Sequence, residues 1–224
     1  MTAQRSRPDL EDLRARYLAA QLSGDRHEAM RLVIADGLER GVSVRELSED
    51  VVGAAQREIG VLWQRNELSI ADEHMATAIS NLVLARLYER AAQAPRNGKK
   101  ILVACVEGEL HELPARLVAD ALDLAGFSVR YLGASVPTDS LVDMILTYRP
   151  DLVALSTTMS FHITALRTVV TRIREATEGR VAVAIGGSAC AWSPELGREL
   201  GVELTASSAR ELVEAARRHF GVAT

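Results

Sequence analysis

The sequence is short of cysteines and aromatics, has no long apolar run and carries no excess of positive charge. Two cysteines in 224 residues, Cys105 and Cys190, make no disulfide framework, which points to a reducing cytoplasm. Lys and Arg number 26 against 30 Asp and Glu, a formal net charge of −4 with His neutral. Such a chain lacks the broad basic footprint of a nucleic-acid binder. No apolar stretch approaches the roughly 20 residues that span a bilayer. The opening MTAQRSRPDLEDLRARYL has neither the apolar core nor the cleavage site of a signal peptide. Aromatics are only 4% of the chain, so each of the two tryptophans, Trp63 and Trp192, calls for a reason. What is present, 48% hydrophobic and 25% charged residues, is the composition of a packed protein and excludes disorder as the dominant state.

Two periods divide the chain. Over residues 1–94 apolar residues recur at three and four: Leu10, Leu13, Tyr17 and Leu18; Met30, Leu32, Val33 and Leu38; Val44, Leu47, Val51, Val52, Ala55, Ile59 and Leu62; Met75, Ile79, Leu82, Val83 and Leu87. This spacing predicts four amphipathic helices in a compact bundle, the fourth opening at a Ser69–Asp72 capping box. Residues 94–100, APRNGKK, read as a linker. Over residues 98–224 short apolar runs alternate with helical stretches. Strands are expected at 101–106, 128–132, 152–155, 181–185 and, more weakly, 202–204. The expectation is an α/β chain: a helical bundle followed by a doubly wound, Rossmann or flavodoxin-like, five-stranded parallel sheet. Ligands of such sheets sit at the carboxyl ends of the strands.

The loop after the first strand, Glu107–Pro114, holds Glu109 and His111 two residues apart. A carboxylate so placed can accept one imidazole N–H and direct the other ring nitrogen at a metal; a solvated acidic loop with an incidental His is the alternative. An acidic loop disfavours the phosphate of a flavin. The third strand ends in Ser156-Thr157-Thr158 rather than a phosphoacceptor Asp, and the Gly-x-Gly-x-x-Gly fingerprint is absent after the first strand. A cofactor that brings its own metal and needs one histidine survives this elimination.

Three loops together, Glu109-Leu110-His111-Glu112-Leu113-Pro114, Ser156-Thr157-Thr158 and Gly186-Gly187, resemble the cobalamin-binding domain of methionine synthase and corrinoid proteins. That family carries Asp-x-His-x-x-Gly, a Ser-x-Leu or Ser-x-Thr and a Gly-Gly at these places. The resemblance implies that His111 is the lower axial ligand of cobalt and Glu109 its hydrogen-bonding partner. Ser156, Thr158, Gly186 and Gly187 would line the slot for the nucleotide tail, with glycines where a Cβ would block a planar base. Glu in place of Asp is one methylene longer and predicts a looser bond to His111. Pro114 removes a donor where the family has Gly.

In the helical half, Trp63 followed ten residues later by Glu73-His74 reads either as a core indole with a surface pair or as an apolar plate beside two polar groups. The spacing is similar to the cap of cobalamin-dependent photoreceptors, where these residues surround the upper group of adenosylcobalamin and light breaks the cobalt–carbon bond. The implied protein is a light sensor with cobalamin held between a helical cap (1–94) and a Rossmann-like domain (98–224). It would act on a protein partner or a second copy, without catalysis, without a DNA-binding helix and without a membrane. Some stand-alone members also hold a bilin, so biliverdin is carried as a second chromophore. The alternative is a corrinoid shuttle protein of a methyltransferase system. His162 is expected to start a helix without a metal role, a place at the pocket rim being the alternative, and Trp192 to pack beneath the nucleotide slot, a place in its wall being the alternative. No nucleophile–base constellation suggests a reaction.

Overall fold

The computed structural model describes residues 7–222. These fall into two compact units divided between Ala92 and Gln93.

The first unit is helical. α1 (Leu10–Leu22), capped by the Asp9 carboxylate, buries Leu13, Tyr17, Ala20 and Gln21 at helical spacing. α2 (Arg26–Arg31), capped by Asp25, runs without a break into a π-helical segment (Leu32–Gly37) and a 3-10 turn (Leu38–Arg40). α3 (Val44–Glu46) starts at a reciprocal Ser43–Glu46 capping box and continues through a second π-helical segment (Leu47–Gly53) into α4 (Ala54–Gln64). α5 (Ile70–Arg90) opens at the expected Ser69–Asp72 capping box. A 3.6-residue period finds the four stretches and misses the π-helical segments. The first of these segments ends on Gly37. A Cβ on Gly37 would stand 2.6 Å from Leu47 Cδ2, so this helix approaches its neighbour on glycine.

The second unit is a five-stranded, all-parallel sheet of order β2-β1-β3-β4-β5. Its elements are β1 (Lys100–Cys105), α6 (Leu113–Leu124), β2 (Ser128–Tyr131), α7 (Thr138–Tyr148), β3 (Leu152–Ser156), α8 (Ile163–Thr177), β4 (Ala182–Gly186), α9 (Ser188–Ala191), α10 (Leu196–Leu200), β5 (Leu204–Ala206) and α11 (Ala209–Phe220). β3 is buried at every residue and β1 at all but Lys100, because helices cover both faces of the sheet. One face packs Leu102, Ala104, Val153 and Leu155 with α7 and α8; the other packs Ile101, Val103 and Phe127 with α6 and α11. The fifth strand lies two residues later than its apolar signal suggests. Val202 hydrogen-bonds Gly197 in the turn after α10, and Leu204 is the first residue to pair with β4. α9 carries no signal of its own in the sequence.

Strand order reverses between β1 and β3. β1 connects through α6 to β2 on one side, and β2 connects back through α7 to β3 on the other. Loops leaving neighbouring strands in opposite directions open a crevice at their carboxyl ends.

Candidate functional site

β1 delivers its loop to that crevice. Val106 N–H bonds Ser156 O of β3 at 3.2 Å, and Glu109 N–H returns to Val106 O at 3.0 Å. Gly108, at φ +86°, permits the turn between them. Ser135 in the loop after β2 ties the turn down, accepting from Gly108 N–H at 3.1 Å and donating its own N–H to Glu109 O at 2.9 Å. The result is a glutamate with no exposed surface.

Every oxygen of that carboxylate is engaged. Glu109 Oε1 accepts from His111 N–H at 3.0 Å and lies 2.5 Å from His111 Nδ1. Oε2 accepts from the backbone N–H groups of Thr158 at 2.8 Å and Met159 at 2.9 Å, and lies 3.0 Å from His162 Nδ1. Burial opposes ionisation of Glu109. The bonds from the His111 ring, the backbone of Met159 and His111, and the His162 ring outweigh it and hold the carboxyl well below the usual range. A buried anion that accepts from both rings makes each Nδ1 a donor. Nε2 is then the atom by which His111 would reach a metal.

The longer side chain of Glu109 therefore gives a short bond to His111 rather than a loose one, because backbone N–H groups on both sides draw the carboxylate in. Pro114 lies in the first turn of α6, where its missing N–H costs nothing.

Ser156 ends β3 almost buried, and Thr157 is fully buried. The hydroxyls of Thr157 and Thr158 are buried with no hydrogen-bond partner among the described residues. Gly186 and Gly187 are glycines for a reason nearer home than a ligand. A Cβ on Gly186 would lie 2.8 Å from Ala206 O, and one on Gly187, at φ +100°, would lie 2.3 Å from Thr157 O. The glycines let β4 and its loop close on β5 and on the Thr157 backbone, whose N–H bonds Gly186 O at 3.0 Å. Trp192 is exposed rather than packed beneath the slot. With Leu110 and Phe161 it makes up three of the unit's four exposed large apolar side chains. All three sit on loops at the carboxyl edge of the sheet. The Cys105 thiol is pushed up to about 12 by burial and then by the charges of Glu109 and Glu112, and burial pushes the Cys190 thiol up to about 11. Neither supplies a thiolate.

His162, read from the sequence first as a helix start and only second as a residue at the pocket rim, contacts the buried carboxylate. It closes a 3-10 turn (Ser160–His162) just before α8 and reaches Glu109 from 53 positions away. Its place past the carboxyl end of a switch-point strand was the available signal.

In the helical unit, Trp63 stands near the end of α4, partly buried, while Glu73 and His74 occupy the opening turns of α5. Glu73 Oε2 lies 2.6 Å from Nδ1 of the exposed His74. Oε1 accepts from Thr77 Oγ1 at 2.7 Å. Behind Thr77 a run of donors leads into the core: Gln56 Nε2 to Thr77 at 2.6 Å, Ser80 Oγ to Gln56 at 3.1 Å, and Gln21 Nε2 to Ser80 at 2.8 Å, with Tyr17 OH 3.2 Å from Ser80 Oγ.

The donor set of the sheet unit fits a corrinoid. It offers one imidazole backed by an ionised carboxylate, two buried hydroxyls without partners for polar atoms of a tail, and an apolar rim for a macrocycle. Among the described residues no group of three or more His, Cys, Asp and Glu could hold a bare metal ion.

Comparison with known proteins agrees. Residues 99–218 match the family model described as a B12 binding domain, and residues 13–88 match a second model with the same description. The chain belongs to the B12-binding family. It is 30% identical to the HTH-type transcriptional repressor CarH of Myxococcus xanthus over 84% of this chain and 61% of that protein. It is 28% identical to dimethylamine corrinoid protein 1 of Methanosarcina acetivorans over 69% of this chain and 75% of that protein. The fold superposes on the monomethylamine corrinoid protein of Methanosarcina barkeri with a TM-score of 0.81 at 19% identity, covering 94% of this chain and all of the other. The chain spans only about three fifths of CarH and half of the related repressor CarA. These relatives are named as HTH-type transcriptional repressors and as corrinoid proteins. Among the described residues no helix is long and apolar enough to cross a membrane.

Proposed function

We propose that this chain is a cobalamin-dependent light-responsive regulator that takes up adenosylcobalamin. The observation that carries the corrinoid part is the 2.5 Å contact between fully buried Glu109 and His111 Nδ1, which leads Nε2 to cobalt as the lower ligand. The light-responsive part rests on Trp63 with the hydrogen-bonded Glu73–His74 pair and on the resemblance of that spacing to the photoreceptor cap. Bound adenosylcobalamin would supply a cobalt–carbon bond that green light cleaves. The chain's own residues do the rest. Glu109 holds the Nδ1 proton of His111, and Ser156, Thr157, Thr158, Gly186 and Gly187 form the wall for the nucleotide tail. Leu110, Phe161 and Trp192 keep water from the ring edge, and Trp63, Glu73 and His74 receive the upper group. Such a regulator acts through a protein partner or a second copy of itself.

The test is to load the purified chain with adenosylcobalamin in darkness, remove free cofactor by gel filtration, and compare absorbance, elution volume and protease sensitivity before and after green light, with hydroxocobalamin, which has no cobalt–carbon bond to cleave, as the control. Expected are a protein-bound corrinoid spectrum and a light-dependent change in elution or cleavage that hydroxocobalamin does not give. No bound corrinoid overturns the whole reading; bound cofactor with no change in the protein overturns its light-responsive half. Repeating the loading with biliverdin tests the second chromophore through a red absorption band.

A second reading, a corrinoid shuttle for a methyltransferase, is favoured by coverage. The corrinoid proteins are matched over most of their own length, 75% to 91% for the first and third dimethylamine proteins, whereas the repressors are matched over less. Methyl transfer from the methylcobalamin-loaded chain to a methyltransferase would establish it.

A further inference from the structure

In the helical unit, α2 and the π-helical segment after it carry apolar residues on a face that does not enter the core. Ala29, Leu32 and Val33 are the residues this stretch buries. The face between them looks outward and should be polar. Met30, Ile34 and Ala35 lie on it half-buried. They floor a cavity of about 320 Å³, within the roughly 300–1,000 Å³ of small-molecule sites. The rim is cationic and exposed: His27 and Arg31 come from α2, and Arg86 and Arg90, one turn apart, from the end of α5. Among the described residues no carboxylate lines it. The nearby acids are already engaged. Glu28 takes Arg31 Nε and Nη2 at 2.7 Å each, Asp36 takes Arg31 Nη1 at 3.1 Å, and Glu89 takes Arg86 Nη1 at 2.7 Å. These pairs hold two guanidiniums in place and use up their charge. Arg90 and His27 enter no ion pair among the described residues. The carbonyls that end α5 offset about half of the Arg90 charge, but the planar donor fork of its guanidinium is left unused.

We propose that this cavity is a second ligand site, for a small organic carboxylate with a compact apolar body. The carboxylate takes the donor fork of Arg90, with the His27 imidazole as a further donor, and the body lies on Met30, Ile34 and Ala35. An Arg fork matches carboxylate and phosphate alike. One uncommitted guanidinium balances one negative charge, which favours a monocarboxylate over a phosphate dianion. At roughly 30 Å³ for a water-sized group, 320 Å³ holds about ten non-hydrogen atoms, the size of octanoate. An anion without a body leaves the floor wet, and a neutral chain leaves Arg90 unused. The site lies wholly within the helical unit and does not rest on the cobalamin reading above.

The test is a titration of the full chain, carrying 13C-methyl methionine and isoleucine, with sodium octanoate at fixed pH and about 0.15 M salt. The Met30 and Ile34 methyl signals should shift saturably, with a Kd of about 0.1–1 mM. 1-Octanol has the chain without the charge, and acetate and inorganic phosphate have charge without the chain; each should bind at least about tenfold more weakly. Arg90→Gln, at an exposed helix end, should weaken octanoate about tenfold, the worth of one charge-assisted pair. Arg90→Lys keeps the charge without the fork and should fall between. Ala35→Phe fills the floor and should abolish the shifts; if that variant does not fold, the two Arg90 variants still decide. Four outcomes overturn the inference. They are no saturable shift of these two methyls below about 10 mM octanoate, octanol binding as tightly as octanoate, Arg90→Gln binding as tightly as the wild type, and shifts spread equally over Met75, Met144 and Met159.

Discussion

Each unit hides one carboxylate between two nitrogen-bearing side chains, and the two differ in one chemical respect. In the bundle, Asp36 is 8% exposed and takes Arg16 Nη2 at 3.0 Å and Arg31 Nη1 at 3.1 Å on the same oxygen. In the sheet unit, Glu109 is fully buried and takes His111 and His162 on different oxygens. Guanidinium groups have donors only and stay charged, so the Asp36 cluster ends in itself. Imidazoles carry a second nitrogen whose lone pair can bind a metal, a chemistry that guanidinium lacks. Arg16 and Arg31 are also roughly half exposed and shared with Asp12 and Glu28, whereas the donors of Glu109 include backbone that cannot move away. A buried acid is therefore no mark of a site by itself; the mark is what its partners can still do.

The sharpest way to break this comparison is at Glu109. Glu109→Ala strands buried backbone donors and two imidazoles, and is expected to cost about 3–5 kcal/mol, along with the axial nitrogen signal, the electron paramagnetic resonance doublet of the cob(II)alamin-loaded chain. Each unit carries one tryptophan, Trp63 or Trp192, so urea unfolding followed in Trp63→Phe and Trp192→Phe backgrounds assigns the loss to a unit. Only the transition reported by Trp192 should move. The pH sign follows from a carboxyl held below its ordinary value. Its contribution is complete above the unfolded value, near about 4.3, and is lost as pH falls from there toward the folded value. The gap between wild type and variant should therefore be constant above about pH 5 and shrink in acid. A gap that widened in acid would mean that Glu109 folds protonated.

Much of this was legible. Runs such as 101–105 and 152–155 are apolar because both faces of those strands are covered, and the change of period past residue 94 separates bundle from sheet. The Glu109–His111 pair could be seen because both partners lie in one short loop. Contacts that depend on strand order could not. His162 meets Glu109 only because β3 lies beside β1, and the closeness of Gly187 to the Thr157 carbonyl is a property of β3–β4 register. The same blindness hid the backbone contacts that hold both positions to glycine. It also set the fifth strand at the apolar Val202, where the chain is still turning. Trp192 was expected to pack because indoles usually do, yet it stands in solvent at the rim.

A smaller effect sharpens the contrast from the bundle side. Ser80 is fully buried and is the joint where Tyr17 and Gln21 meet the run toward Gln56, Thr77 and Glu73. Ser80→Ala removes the partner of the buried Tyr17 hydroxyl and a donor to Gln56 Oε1, while Gln21 Nε2 keeps Ala76 O at 3.2 Å, and is expected to cost about 2 kcal/mol, since a stranded buried polar group forfeits its hydration. The loss should appear in the Trp63 transition and leave the axial nitrogen signal untouched. The run is neutral up to Glu73, so this cost should be insensitive to salt. A cost below about 0.5 kcal/mol, the level of an ordinary surface change, would mean that the helices close over the gap and the network is incidental.

Asp36→Asn should give the smallest change. Its arginines are half in water, and pairs of that kind contribute up to about 1 kcal/mol. Burial opposes ionisation of Asp36, but Arg31 and Arg16 outweigh it and lower the carboxyl. Its contribution therefore has the same sign as that of Glu109: present above the unfolded value, about 3.9, and lost as pH falls below it. What separates the two is salt. At about 1 M the screening length falls to about 3 Å, so the cost of Asp36→Asn should largely vanish while that of Glu109→Ala persists, because hydrogen bonds from buried backbone are not screened. If salt removed both effects equally, the Glu109 carboxylate would be reached by solvent, and its claim to fix one imidazole for a metal would fail with it.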